Sequence, residues 1–328
     1  DTAYAIAVQA DGKIVVAGSA KAAGATGDDF ALARYTASGA LDATFGTGGK
    51  VTTSFGNDAD TARALVVQAD GKIVAGGDTS QGSATGVDFA LARYTTSGAL
   101  DAGFGTGGKV ITAMRTAAAT DSINAVVLEQ VDGEARIVAA GGDGDFALAR
   151  YRASGEIDTS FGASGKVLAL FGSVIGAARA VAVTADGKLV VAGHRAEDFA
   201  LVRLGVDGKL DTTFGTGGRV VTAIDADNSD EAQAIAIDAD GKLVVAGWAY
   251  EGKTTSGNFA VVRYGADGAI DTSFAGGIVV TPVASASRRD QGMAIALQSD
   301  PRVPTVRVVV AGNASASNSD FAAARYWR

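Results

Sequence analysis

The chain has no cysteine, a single histidine, three prolines and few aromatic residues, 7% in all. Without cysteine there is no disulfide, no thiolate zinc site and no cysteine nucleophile. One histidine rules out a multi-histidine metal site, and a histidine-based hydrolase triad would have to use His194. So little proline argues against a disordered Pro/Gly linker, in spite of 45 glycines. No run of 18 apolar residues occurs and no signal-peptide pattern is present, so membrane insertion is not expected. Basic residues are in deficit, 28 against 36 acidic ones, for a net charge of −8. That balance argues against nucleic acid, whose binding rests on Lys and Arg contacts to phosphate.

What the chain does have is repetition. Asp29 to Tyr35 reads DFALARY, and the motif returns at Asp88, Asp145, Asp198 (DFALVRL), Asn258 (NFAVVRY) and Asp320 (DFAAARY). The interval is roughly sixty residues, long for a propeller repeat but ample for four strands with generous loops. Each repeat opens with a short Ala-rich strand, such as Ala5 to Gln9. An Asp-Gly hairpin signal follows at Asp11-Gly12, then an apolar run, Ile14 to Ala17, closed by Gly18. DFALARY supplies the third strand, and Lys50 to Phe55 alternates as a fourth. The closing glycine recurs as Gly77, Gly141, Gly193, Gly247 and Gly312.

The second strand is apolar on both faces and must be covered on both. The first is built of small residues, which suits a crowded position. Together these describe the blade of a β-propeller. The expectation is an all-β, six-bladed propeller of four-stranded antiparallel blades, forming one domain over 1–328. Blade limits fall at about 1–57, 58–115, 116–173, 174–225, 226–286 and 287–328. A solenoid is the rival, but it would need polar capping repeats, and none is visible. The sixth repeat stops after DFAAARY and lacks its own outer strand. Three expectations follow: an upstream strand that has been removed, a three-stranded blade, or strand donation from another molecule to the Phe321–Tyr326 edge.

The segments QADGKIVVAG and DFALARYTASGALDATFGTGGKV resemble the delta-60 repeat of bacterial secreted and surface proteins. More distantly, AVQADGKIVVAG is similar to the NHL-type propeller repeat. The resemblance covers the whole chain. It implies a propeller and a place outside the cell or on a bacterial surface, and it brings no catalytic motif with it.

Candidate residues fall into three sets. The first is a structural clasp in which the arginines of the third strand (Arg34, Arg93, Arg150, Arg203, Arg263 and Arg325) meet the aspartates of the LD turn (Asp42, Asp101, Asp158, Asp211 and Asp271). An arginine on an apolar face buries its stem and needs a carboxylate for its fork. Six equivalent anion sites is the competing reading. The second set is Asp225, Asp227 and Asp230, oxygen ligands at which Ca²⁺ is the one candidate cofactor. The run fails the EF-hand pattern, and a solvated acidic loop explains it as well. The third set follows from comparing repeats. Turns between strands one and two, and three and four, barely vary, whereas the other connections differ in every repeat. Both variable classes emerge at the same end of an up-and-down blade, where recognition residues ordinarily sit. His194, Arg195, Trp248, Tyr250, Lys253, Arg288 and Arg289 lie there and are the candidate ligand-binding residues.

The reading that follows is a non-enzymatic binding propeller that holds a protein or a glycan on its variable face. An alternative is a Ca²⁺-dependent lactonase-like or lyase-like enzyme, which would need carboxylates converging from several first strands. Those strands are mostly Ala, Val and Ile. A further alternative is a structural subunit assembling through the sixth blade.

Overall fold

The computed structural model describes residues 1–21, 27–56, 59–80, 86–115, 119–168, 170–172, 175–225, 228–250, 257–283, 290–300, 303–315 and 319–327. Among them there is no helix. The fold is an all-β, six-bladed propeller whose sixth blade has three strands. The chain divides into two compact units, Asp1–Ala169 and Leu170–Arg328.

The first unit holds three blades. They are β1 (Thr2–Val8) to β4 (Lys50–Thr53) with β2 (Ile14–Ala20) and β3 (Asp29–Tyr35), then β5 (Asp60–Val67), β6 (Ile73–Ser80), β7 (Gly86–Tyr94) and β8 (Lys109–Thr112). The third blade is β10 (Ile123–Val131), β11 (Glu134–Gly141), β12 (Ala147–Arg152) and β13 (Lys166–Val167). Each is an antiparallel meander in chain order. A two-residue strand, β9 (Ala119–Thr120), pairs in parallel with β7, an element the repeat pattern does not announce.

The second unit holds β14 (Gly176–Val183), β15 (Leu189–Arg195), β16 (Asp198–Leu204) and β17 (Arg219–Thr222) as its first blade. Next come β18 (Asp230–Ile237), β19 (Leu243–Tyr250), β20 (Gly257–Tyr264) and β21 (Ile278–Thr281). The last blade is β22 (Gln291–Asp300), β23 (Val303–Ser315) and β24 (Ser319–Trp327).

Local chemistry explains the hairpins. In the Gln9–Lys13 turn the Gly12 amide donates to the Gln9 carbonyl, and Gly12 takes φ +80°, a region that costs glycine nothing. In the third blade the turn is two residues, Asp132 (φ 52°) and Gly133 (φ 77°), which is the twist-matched hairpin geometry.

Within each unit the blades pack face to face through apolar clusters. Phe30, Leu32 and Phe45 of the first blade meet Ile73, Ala75 and Tyr94 of the second. Val190, Phe199 and Phe214 meet Leu243, Val245 and Tyr264 in the second unit. The repeating phenylalanines Phe30, Phe89, Phe146, Phe199 and Phe259 are at most 1% exposed, whereas Phe321 is fully exposed. Each buried ring contributes about 2–3 kcal/mol. The tyrosine that ends the motif adds a polar link to the preceding blade. Tyr94 Oη donates to Thr53 at 2.9 Å, Tyr151 to Thr112 at 2.8 Å, Tyr264 to Thr222 at 2.9 Å and Tyr326 to Thr281 at 3.0 Å.

Candidate functional site

The two ends of the blades are built differently. At the end carrying the invariant turns, Arg34 Nε donates to Asp42 Oδ2 at 2.9 Å and its Nη1 to the Thr96 carbonyl of the next blade at 2.6 Å. The guanidinium lies 4.6 Å over the Phe45 ring. Arg93 pairs with Asp101 and Arg203 with Asp211, both at 2.8 Å, and their Nη1 atoms donate to the next-blade carbonyls of Ala153 and Ala266. Arg263 and Asp271 form a 2.8 Å ion pair. A third member was not anticipated. Lys13, Lys72, Arg136, Lys188 and Lys242 bridge to the same aspartates at 2.7–3.3 Å. Their signal is the cation directly before the apolar run of the second strand in these five blades.

The clasp aspartates are held ionised. Thr44's hydroxyl and amide, with Lys13 and Arg34 behind them, keep Asp42 well below the usual carboxylate range. Burial opposes ionisation of Asp158, but Ser160, Arg150 and Arg136 outweigh it and leave the group at about 2. In the third blade Arg150, 1% exposed, donates from its Nη1 to Glu129 Oε1 at 3.0 Å. Arg325 has no carboxylate partner among the described residues, and its guanidinium sits 5.5 Å from the Trp327 ring.

The opposite end has its own repeated frame, which sequence reasoning missed. Asp60, Asp121, Asp230 and Asp290 are at most 2% exposed. Asp60 accepts from the Phe55 amide at 2.7 Å, Asp230 from Ile224 at 2.7 Å and Asp225 at 3.1 Å, and Asp290 from Val283 at 2.8 Å. Asp121 faces the Arg115 guanidinium at 3.2 Å. Burial, with Asp198 and Asp225 nearby, pushes Asp230 up to about 6. The available signal was an Asp two places before the residue that precedes the bulge in five of the six first strands, with Gly176 in its place in the fourth.

On that frame every first strand carries a β-bulge at the same place. Registers shift across Ala3/Ala5, Ala62/Ala64, Ile123/Ala125, Ala178/Ala180, Ala232/Ala234 and Gly292/Ala294. The extra residues are Tyr4, Arg63, Asn124, Arg179, Gln233 and Met293. Opposite each bulge stands the glycine that closes the second strand. A Cβ on Gly18, Gly77, Gly141, Gly193, Gly247 or Gly312 would overlap a carbonyl oxygen of the bulged strand. The glycine is therefore there for space.

The bulge residues and their neighbours differ from blade to blade. Arg63 Nε donates to Asp78 Oδ1 at 2.5 Å and its guanidinium lies 5.5 Å from the Tyr4 ring. In the second unit Arg179 Nε donates to Glu231 Oε1 at 2.6 Å, and His194 Nδ1 is 3.2 Å from the same oxygen, within ion-pair range but outside hydrogen-bond geometry. Burial works against a charged Glu231, yet His194 and Arg179 outweigh it and bring the group down to about 2.

Of the candidate ligand residues, His194 thus joins a cluster with two residues not foreseen, Arg179 and Glu231. Arg195 lies 5.9 Å over Phe171. Trp248 and Tyr250 pack edge to face at 5.3 Å, and Trp248 is Glu231's cross-strand partner. Lys253, Arg288 and Arg289 lie outside the described residues, as does Asp227 of the acidic run. Asp230 is occupied by backbone amides, and the described residues contain no group of three potential metal ligands.

Comparison with known proteins bears on the family. Residues 9–45, 68–104, 131–161, 184–214 and 239–274, more than half of the chain, match the family described as "Domain of unknown function (DUF5122) beta-propeller". No curated protein matches the sequence. Among solved structures, a PL25 polysaccharide lyase, an ulvan lyase bound to -[GlcA(1-4)Rha3S]-, superposes with a TM-score of 0.49 at 13% identity, over 97% of this chain and 79% of that one. The GH43 endo-arabinanase from Bacillus licheniformis gives 0.41 at 13% identity over 80% and 92%. The tail fiber of Staphylococcus aureus phage P68 gives 0.35 at 14% identity over 80% and 49%. Likenesses this distant carry no argument about activity or ligand. The five repeat matches do decide the family: the chain belongs to the DUF5122 beta-propellers.

Proposed function

We propose that this chain is a non-enzymatic binding module of the delta-60 type, working outside the cell or on a bacterial surface, with its partner held at the variable end of the blades. The observation that supports this is the contrast between ends. One end repeats a clasp of Arg, Asp and a second cation, and the other places five different side chains on a bulge common to six blades. A rigid scaffold carrying individual positions is the usual arrangement for recognition.

The test replaces the second-to-third-strand connections of blades 1, 2 and 5 by the short Asp143–Gly144 connection of blade 3. Retention of the parent chain is measured on peptidoglycan, chitin, cellulose and immobilised collagen. The parent is retained on at least one, and the replacement loses that retention while keeping its far-UV circular dichroism. Equal retention of both chains would remove the variable end from the reading. New reducing ends or unsaturated sugars released from a polysaccharide would replace it with an enzyme.

One observation favours a second role. The outer edge of β24 has no partner strand among the described residues, and Phe321 is fully exposed beside it. Such an edge accepts a strand. In this role the chain self-associates, and a peptide of residues 49–55, copying the first blade's outer strand, displaces the association in light scattering. A monomer that ignores the peptide ends it.

A further inference from the structure

We infer that the cluster of Arg179, Glu231 and His194 in the second unit, with Trp248 across the ladder from Glu231 and Gln233 two residues along the same strand, is a binding site for a neutral carbohydrate. The inference rests on the recognition reading above and gives it a place and a ligand class.

The backbone comes first. A bulge inserts one residue that the ladder does not use and re-aims its side chain. All six blades build that bulge and clear space for it with a glycine, yet no two neighbouring blades put the same side chain on it. A frame kept in every repeat, whose one projecting residue is free to differ, is organised for the side chain it presents. In the second unit the projecting residues of the first two blades are Arg179 and Gln233.

Hydrogen-bond capacity comes next. Arg179 uses only Nε, and its Nη1 and Nη2 make no hydrogen bond among the described residues. Glu231 accepts from Arg179 on Oε1, with His194 Nδ1 3.2 Å from the same atom, and leaves Oε2 without a hydrogen bond there. The Gln233 amide likewise makes none, although Gln233 is half-buried. The site therefore offers a fixed fork of donors, a carboxylate acceptor and an amide that is both. Arg179 is about a third exposed and Glu231 about a sixth, so these groups are ordered and still open to solvent.

Charge selects the ligand. The Arg179 cation and the Glu231 anion cancel, so the cluster favours neither a free anion nor a cation, and the chain as a whole is acidic. Matched donors and acceptors at close range suit vicinal hydroxyl groups, each of which donates once and accepts. Trp248 and Tyr250, packed edge to face next to Glu231, add the apolar aromatic surface that the C–H face of a sugar needs. A protein partner would require a larger apolar core than this cluster supplies.

The experiment is native affinity electrophoresis of the full chain. Gels are cast with a neutral polysaccharide (dextran, mannan or galactan) or an anionic one (polygalacturonate or dextran sulfate). The expected result is retardation in at least one neutral gel, weakened at least tenfold by Arg179→Ala and by Gln233→Ala. Lys209→Ala, at an 82%-exposed side chain in an invariant turn, keeps it. Gln233→Ala removes no hydrogen bond among the described residues, so it serves if Arg179→Ala unfolds. Retardation that survives both substitutions overturns the site and leaves the recognition reading intact. Retardation only in anionic gels overturns the ligand class. Mobility unchanged in every neutral gel overturns the inference, and the loop replacements then judge the broader reading separately.

Discussion

At the clasp end, five blades solve one problem with an arginine, an aspartate and a second cation; at the bulge end, six blades share a backbone and put five different side chains on it. The clasp arginines of the first five blades are 1–9% exposed, and Arg34, Arg93 and Arg203 tie their blades to the next one's turn. The bulge arginines are about a third exposed, and their Nη atoms make no hydrogen bond among the described residues. The same residue type is scaffold in one place and available surface in the other. What separates them is burial and how many of the guanidinium's donors the fold has already used.

The largest test of that contrast is a matched pair of substitutions. Arg150→Met leaves Glu129 buried without its ion-pair partner and Asp158 with Arg136 alone, a loss of about 3–5 kcal/mol. Arg179→Met, in the same chemistry but partly exposed, costs about 1 kcal/mol or less. Urea midpoints measure both. Equal losses would erase the distinction between the two ends.

Acidity gives a second test, because Asp230 and Glu231 are adjacent and shifted in opposite directions. Asp230 is held at about 6 in the folded chain against an ordinary 3.8. Between those values the folded form keeps a proton the unfolded form has lost. Its stabilising share is therefore complete below pH 3.8 and lost as pH rises through 6. Glu231 is brought from 4.5 to about 2, so its share is present above 4.5 and lost as pH falls towards 2. Each is on the order of 2–3 kcal/mol. Asp230→Asn should flatten stability between pH 4 and 6, and Glu231→Gln should flatten it below 4.5. Urea midpoints across that range check the two slopes, and a wild-type curve unchanged by either substitution would show that neither carboxyl is shifted.

The bulge itself is the third target. Gly193→Ala drives a methyl group into the Ala177 carbonyl and costs about 1–3 kcal/mol. The same change at Gly39, a turn glycine with open space around it, meets no atom, so its cost comes only from the φ of +87°. If Gly193→Ala were the milder of the two, the glycine would serve conformation and the space argument would fail.

These tests also show what the sequence could and could not disclose. Strand order was legible because Asp-Gly turns, two-faced apolar runs and DFALARY all recur in step, and each constrains the others. The Arg–Asp part of the clasp was legible by alternation on one strand. Its lysine was overlooked because a cation after a turn looks like an ordinary solvated residue. The bulges were illegible for a different reason. Ala62-Arg63-Ala64 reads as plain alternation, and only the register with Gly77 shows that Arg63 is the inserted residue. Glu231 reaching Arg179 and His194 joins two blades, a proximity that no spacing within one repeat encodes. Lys253, Arg288 and Arg289 were chosen for charge in variable loops, where no pattern fixes a position.

The smallest expected effect is also the cleanest, because it concerns a bond between blades that belongs to neither end. Tyr264 is completely buried and its hydroxyl donates to Thr222 of the preceding blade at 2.9 Å. Tyr35 occupies the same place in the first blade, is only half-buried, and its hydroxyl makes no hydrogen bond among the described residues. Removing the Tyr264 hydroxyl as Tyr264→Phe leaves the ring packing intact and strands the Thr222 hydroxyl, which is itself buried, so the loss should be about 1 kcal/mol. Tyr35→Phe should change stability by a few tenths at most, since water serves its hydroxyl in both states. Chemical denaturation with the slope held common to both variants resolves a difference of that size. If the two changes cost the same, the tyrosine–threonine links add nothing beyond the rings that carry them. Blade-to-blade adhesion would then rest on the apolar clusters and the clasp alone.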